Sequence, residues 1–333
     1  MTEAVARATG TSSSGRRPTM LDVAERAGVG LKTVSRFVNG EKNIRPVLAE
    51  RIAQAIEDLG YRRNLAAASI RPGQSSRVLG LIIGDLGNPF WSSVARAAEQ
   101  VCTSRRWLLL TASSEEDPER FSRLADRLVE QRVDALIVVP PPGEEPPALA
   151  RAAGDVPVIA VDRPSAHAAC VVQYDNAQGA RAAVEILRTR GTVGYIGDST
   201  DMWTMSERFR GYREALAVVD ESRVRHGAHT IEEAQQAALE LLDLGVDALF
   251  AANNRASVGA LLAFAQIGRR VPLIGFDEFE ASRLADPPVS VVNAAPAALG
   301  RAAAEAAFAL LGGEVPPDVR LEPELVLRGS EGA

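Results

Sequence analysis

From Val78 onward the chain sets seven short apolar runs, VLGLII, WLLL, ALIVV, VPVIAV, VGYIG, DALFAA and VPLIGF, between stretches of helical pattern. Runs that are apolar throughout, rather than at every second residue, suit strands with both faces covered, as in a parallel sheet between two layers of helices. The pattern predicts an α/β, doubly wound architecture, in which ligands are reached at the carboxyl ends of strands. There is enough chain for two such lobes, and no short repeat of the solenoid kind.

The first 77 residues read differently. Residues 1–17 are rich in Ser, Thr, Gly and Arg without apolar periodicity and are expected to be a disordered leader. Thr19 with Asp22 forms a capping pair for a short helix through LDVAERA, which Gly28-Val29-Gly30 stops. A second short helix, Leu31 to Val38, ends at Asn39-Gly40, a good left-handed exit. A third begins near Pro46 and runs to Leu59 with an apolar stripe of Ile52, Ala55, Ile56 and Leu59, and Gly60 terminates it. In TMLDVAERAGVGLKTVSRFVNG, Ala24 suits close helix contact, Gly28 the turn, and Val34 a side chain returned to the core. These are the requirements of a helix-turn-helix; an ordinary corner between two helices is the blander alternative. Asn64 to Arg71 (NLAAASIR) reads as a short alanine-rich helix, too short to be stable alone, and Pro72 to Ser76 as a linker.

Charge follows the same division. Residues 1–77 hold 13 of the 37 basic and 7 of the 43 acidic residues, a net +6, so the remainder carries −12. Both lysines of the chain, Lys32 and Lys42, lie in the basic part. A polyanion-binding head on an acidic body accounts for this, and a solvated basic surface is the alternative.

On these residues the segment resembles the head of the lactose-repressor (LacI/GalR) family, through the pattern LDVAxxAGVxxxTVSRxxN, and the resemblance continues through AANN, GFDE and the last helix. It implies a sequence-specific DNA-binding transcription regulator, a repressor in the usual case, working as a homodimer on a pseudo-palindromic operator. By position Leu31, Lys32 and Arg36 would face bases, and Thr33, Ser35 and Asn39 would grip phosphate. Lys and Arg can donate to guanine, and short hydroxyls and amides suit phosphate oxygens. Ile70 falls where the family carries a leucine wedged into the minor groove, and Arg63 replaces a frequent proline.

The body is similar to the two-lobed periplasmic binding fold that this family joins to its head. The resemblance aligns Phe90, Trp91, Asp162, Arg208, Asn253 and Asp277 with contacts to a small-molecule effector, carbohydrate-like in the first instance. A capped helix end (Asp162, Asp277) or core packing (Phe90) is the alternative for individual residues. Asn254 stands where Asp is common, Ala294 where Gln is frequent, and the usual Gly-His before the sixth strand is missing. These departures leave a modified sugar or a non-sugar effector open.

The expected organisation is therefore a leader (1–17), a helix-turn-helix domain (18–63), a hinge helix and linker (64–77), and an effector-binding and dimerisation domain (78–333). Within the last, one lobe would take about 78–174 and 292–318, the other about 175–291 and 319–333. No heptad extension follows the last strand, so no C-terminal tetramerisation helix is expected.

An enzyme is not expected. The sequence has no glycine-rich phosphate fingerprint, Walker loop or nucleophile elbow. Its histidines, His167, His226 and His229, are too few for most metal sites, and His226 and His229 are read as solvent-exposed. No cofactor is expected, and Cys102 and Cys170 read as buried thiols. With no apolar run near 20 residues and no signal-peptide pattern, a cytoplasmic protein is expected. A solute-binding or sensor protein whose basic head holds DNA only nonspecifically is the competing reading.

Overall fold

The computed structural model describes residues 16–38, 40–41, 43–62, 75–216 and 218–332. The expected leader to residue 15, Asn39, Arg63, the hinge helix and Ile70 lie outside the described residues. The chain divides into two compact units, Met1–Gln74 and Ser75–Ala333.

Among its described residues the first unit holds three helices, α1 (Met20–Ala27), α2 (Leu31–Val38) and α3 (Pro46–Leu59). Thr19 and Asp22 close a reciprocal capping box at the start of α1. A cap of this kind stabilises a helix by about 1 kcal/mol. Gly28 ends α1 with φ 62°, and a Cβ there would also lie 2.6 Å from the Arg51 guanidinium. That guanidinium donates to the Ala27 carbonyl at 2.5 Å, tying α3 to the turn. Val23, Ala24, Ala27, Val34, Ile52 and Ala55 form the small core.

The second unit contains two six-stranded sheets. The first comprises β1 (Val78–Ile83), β2 (Leu108–Ser113), β3 (Ala135–Val138), β4 (Val158–Val161), β5 (Cys170–Tyr174) and β11 (Val319–Leu321), in the order β11-β5-β4-β3-β1-β2, all parallel. The second comprises β6 (Val193–Ile196), β7 (Val224–Arg225), β8 (Ala248–Ala251), β9 (Leu273–Phe276), β10 (Ser290–Asn293) and β12 (Glu324–Val326), in the order β12-β10-β9-β8-β6-β7. Only β10 and β12 run antiparallel there. Read position by position the two orders are the same, so the lobes repeat one topology.

The seven apolar runs mark β1 to β4, β6, β8 and β9. Five further strands were not anticipated, and three of them, β7, β11 and β12, are only two or three residues long. The lobe boundaries shift accordingly. Because β10 belongs to the second sheet and β11 to the first, the later crossings follow Asn293 and Leu321, rather than falling at 291/292 and 318/319. Between them, α11 (Pro296–Leu311) packs on α4 (Pro89–Ser104) of the first lobe, so closely that a Cβ at Gly300 would lie 2.1 Å from the Val94 carbonyl oxygen. The remaining helices used below are α7 (Asn176–Leu187), α8 (Trp203–Ala215) and α10 (Asn254–Ile267).

Cys102 and Cys170 are buried and free, and burial pushes the Cys102 thiol up to about 11. Among the described residues no helix is long and apolar enough to cross a membrane.

Candidate functional site

On α2 the sequence spacing of three to four residues per turn separates the faces. Val34 is fully buried, whereas Leu31 and Lys32 are exposed and Thr33, Ser35 and Arg36 are half-buried. Arg36 is already engaged: its Nε donates to Glu41 Oε2 at 2.6 Å and its Nη2 to the Asn43 carbonyl at 3.2 Å. Sequence reading did not anticipate that partner. The two side chains are 38% and 49% exposed. An ion pair so open to water contributes at most about 1 kcal/mol, less than the ~1–3 kcal/mol of a good bidentate base contact, so Arg36 can exchange one for the other.

The second unit holds a cleft at the carboxyl ends of the parallel strands, and all six residues singled out there, Phe90, Trp91, Asp162, Arg208, Asn253 and Asp277, line it. Topology brings them together from both lobes. Asp162 directly follows β4 and Asp277 directly follows β9, equivalent positions in the two sheets. Both take the left-handed backbone with φ 68°, and each amide donates to the neighbouring strand, Asp162 to Val172 at 2.8 Å and Asp277 to Val292 at 2.9 Å. Non-glycine residues held at positive φ carry local strain, which the pairing with the neighbouring strand sustains. Neither carboxylate caps a helix.

Arg208, in the middle of α8, is buried and held through its Nε and Nη1. Its Nε donates to Asn176 Oδ1 at 2.8 Å, and its Nη1 to the Ala252 carbonyl at 2.7 Å and to Asp277 Oδ2 at 3.0 Å. The guanidinium lies 3.6 Å from the centroid of the Phe276 ring. Phe90 and Trp91 open α4 on the opposite lobe, ring edge to face at 5.0 Å. Asn253 spends its side-chain oxygen capping α10, accepting from Ala256 N at 2.7 Å, so its amide NH₂ is what it offers a ligand.

Burial raises Asp162 to about 6 against the opposing pull of Arg163 and Arg208, and the nearby carboxylates Asp277 and Glu116 add to the rise. Burial likewise raises Asp277, in spite of Arg208.

Several lining residues were missed. Asp85 and Asp198 each stand two residues beyond the first strand of their lobe, a repeated acid the sequence does display. Arg163 follows Asp162 directly and is held by Glu116 in a two-pronged pair at 2.6 and 2.8 Å. Contacts cross from lobe to lobe, among them Asn254 donating to Asn88 at 2.9 Å, Arg255 pairing with Asp85, and Arg163 Nη2 donating to Met202 Sδ at 3.7 Å. His226 and His229 are exposed, as read, yet His229 Nδ1 lies 2.9 Å from Asp198 Oδ2 at the rim of the cleft, and His226 sets its ring against Phe209 at 4.6 Å. Among the described residues no cluster of His, Cys, Asp or Glu is placed to hold a metal ion.

Comparison with known proteins agrees over both units. The profile of bacterial regulatory proteins of the lacI family matches residues 19–64, and that of the periplasmic binding protein domain matches residues 79–315. The HTH-type transcriptional regulator CelR of Thermobifida fusca is 32% identical over 338 residues, covering 95% of this chain and 98% of that protein. The HTH-type transcriptional regulator GalS of Salmonella typhimurium is 30% identical over 305 residues, covering 87% and 89%. Among solved structures, a CelR–cellobiose complex aligns with TM-score 0.70 at 30% identity, covering 94% of this chain and 100% of that one. The lac repressor dimer bound to operator and an anti-inducer aligns with TM-score 0.86 at 23% identity, covering 96% and 100%, a likeness of fold. A helix-turn-helix unit of matching pattern and a two-lobed binding fold, both present in one chain, make this protein a DNA-binding transcription regulator of the LacI family.

Proposed function

We propose that the chain is a dimeric repressor whose operator affinity is set by a hydroxyl-rich, carbohydrate-like effector in the interlobe cleft. The observation that carries the effector reading is the state of the cleft's polar groups. Arg208 holds Asn176, the Ala252 carbonyl and Asp277 through its Nε and Nη1, while Asp277 Oδ1 is buried without a donor. A buried acceptor left unpaired costs ~1–3 kcal/mol, and a ligand hydroxyl removes that cost. The similar CelR structure is a complex with cellobiose, a molecule of the same chemical kind.

On the head, Leu31, Lys32 and Arg36 would read base edges in the major groove, while Thr33, Ser35 and Asn39 hold phosphates. Ile70 would wedge into the minor groove at the operator centre, where paired hinge helices fold once two bodies hold their chains together. The protein acts by binding rather than by catalysis.

The test is recovery of bound duplexes from a random pool at two salt concentrations. Enrichment of a palindrome with a flexible central step is expected. Binding that is uniform across sequences and fades with salt would instead support a nonspecific anchor on a solute sensor. In the same assay Arg36→Ala is expected to cost ~1–3 kcal/mol and relax one position of each half-site, whereas Asn39→Ala should weaken all sequences alike. Equal relaxation by both would refute the division of roles.

A further inference from the structure

The chain enters the body through a clamp that neither the sequence motifs nor the relatives' names assign. The Asp134 carboxylate, directly before β3, accepts four hydrogen bonds from the segment leading into β1. They come from Ser75 Oγ at 3.1 Å, Ser76 N at 3.2 Å, Ser76 Oγ at 2.7 Å and Val78 N at 3.2 Å. Ser75 Oγ in turn accepts from Arg77 N at 3.1 Å, and the Arg77 carbonyl accepts from Leu108 N of β2 at 2.9 Å. Residues 75–77 are thus tied to both neighbours of β1 before that strand begins.

The sheet itself does not need most of these bonds. Asp134 N donates to the Val78 carbonyl at 2.8 Å and already joins the starts of β3 and β1. The three bonds from the two serines hold chain that lies outside the sheet, at the end opposite the effector cleft. Arg77 also bends that chain. Its φ is 58°, a left-handed conformation that strains a non-glycine residue and persists only where the surroundings impose it. Arg106 and Arg132, at the same end of the sheet, share that conformation, but each stands just past a helix end, where it is common. Arg77 follows no helix among the described residues, and the clamp is what holds it.

We propose that Asp134 is a positioning residue for operator binding. With Ser75, Ser76 and the left-handed Arg77 it fixes the point and direction at which the linker leaves the body, so that the two hinge segments of a dimer meet at the operator centre. This rests on the dimeric, hinge-folding reading given above. A tether with a fixed root presents its load at a higher effective concentration than one free to swing, and leaves less order to be imposed when DNA binds. Nonspecific binding, which is electrostatic and needs no hinge, should not depend on the clamp.

The test is anisotropy titration of the full chain against the duplex recovered from the random pool and against a random duplex, with thermal unfolding of each variant. Asp134→Asn keeps the side chain's size but loses the bonds made to Oδ2. It is expected to weaken the selected duplex about tenfold and leave the random duplex within about twofold. Loss of a negative charge alone would strengthen DNA binding, so the direction identifies the cause. Should that variant not fold, Ser75→Ala with Ser76→Ala removes two of the bonds from the linker's side. Arg77→Gly should also weaken the selected duplex about tenfold, with little change in melting temperature, since relieved strain offsets the greater freedom of the unfolded chain. Arg77→Asn loses the same charge yet tolerates left-handed backbone, and should stay within about threefold of the unaltered chain. Folded Asp134→Asn and Arg77→Gly chains that keep full affinity for the selected duplex, or lose both duplexes alike, would overturn the anchor and leave the operator reading standing. Equal losses in Arg77→Gly and Arg77→Asn would trace to charge and overturn the role of the bend. An unaltered chain that prefers no duplex overturns the operator reading and the anchor together.

Discussion

Arg208→Ala is expected to abolish the effector response and to destabilise the 75–333 unit by ~3–5 kcal/mol, the cost of stranding one member of a buried ion pair. Four interactions vanish together: the bond to Asn176, the bond to the Ala252 carbonyl, the pair with Asp277 and the stacking on Phe276. Asp277 would remain buried beside Asp162 with no cation of its own. Arg208→Lys should not rescue the response, because an ammonium cannot satisfy three acceptors in the plane of the guanidinium. The double change Arg208→Met with Asp277→Asn should recover stability without recovering the response, which separates the two losses. Denaturant unfolding together with operator titration, each with and without saccharide, checks these outcomes. An Arg208→Ala protein that still releases or gains operator on adding saccharide would show that the cleft works without this arginine.

The second large effect is expected one turn along the same helix. Gly211 of α8 lies so close to α7 that an added Cβ would stand 2.2 Å from the Ala177 carbonyl oxygen. The obstacle is backbone, so α8 itself must move, and with it Arg208, whose acceptor Asn176 is the first residue of α7. Gly211→Ala is expected to cost ~1–3 kcal/mol, as overpacking typically does, and to weaken effector binding although it touches no ligand. Gly154→Ala serves as the control: its Cβ meets nothing within 4 Å, and in a helix the change should be neutral or stabilise by up to ~1 kcal/mol. Thermal unfolding of both variants, with calorimetric titration of the saccharide, makes the comparison. Equal behaviour of the two would mean that the α7–α8 contact does not position the arginine.

The head was legible because its signals are local. Thr19, Asp22, Gly28, Pro46 and Gly60 each fix a helix end within a few residues of themselves, and the three helices lie where those residues set them. In the body, strands buried on both faces announced themselves as apolar runs. Edge strands did not, since VR, VRL and ELV are too short and too polar to differ from loop. That is why the approximate boundary at 318/319 falls just before β11, which the first sheet takes. Asp162 and Asp277 were singled out by the family resemblance, and each directly follows an apolar run. Asp85 and Asp198 occupy the matching place after β1 and β6, and the repeat would have revealed them had the lobes been compared. The pairs Arg163–Glu116, Asn254–Asn88 and His229–Asp198 join residues far apart in sequence, and only the fold brings them together.

The lobe-to-lobe contacts Asn254–Asn88 and Arg255–Asp85 give the effector something to act on, because a ligand that spans both lobes changes how they are held. Coupling to the head is then a free energy, typically ~1–3 kcal/mol, and it is reciprocal. The measurement that meets this directly is an anisotropy titration of the selected operator with the full chain, with and without the saccharide that the cleft retains, at fixed salt. A shift in operator affinity of roughly 5–150-fold is expected, with the mirror shift in saccharide affinity when operator is present. Unchanged operator affinity with the cleft occupied would contradict it, leaving a DNA-binding head and a sugar-binding body that do not communicate.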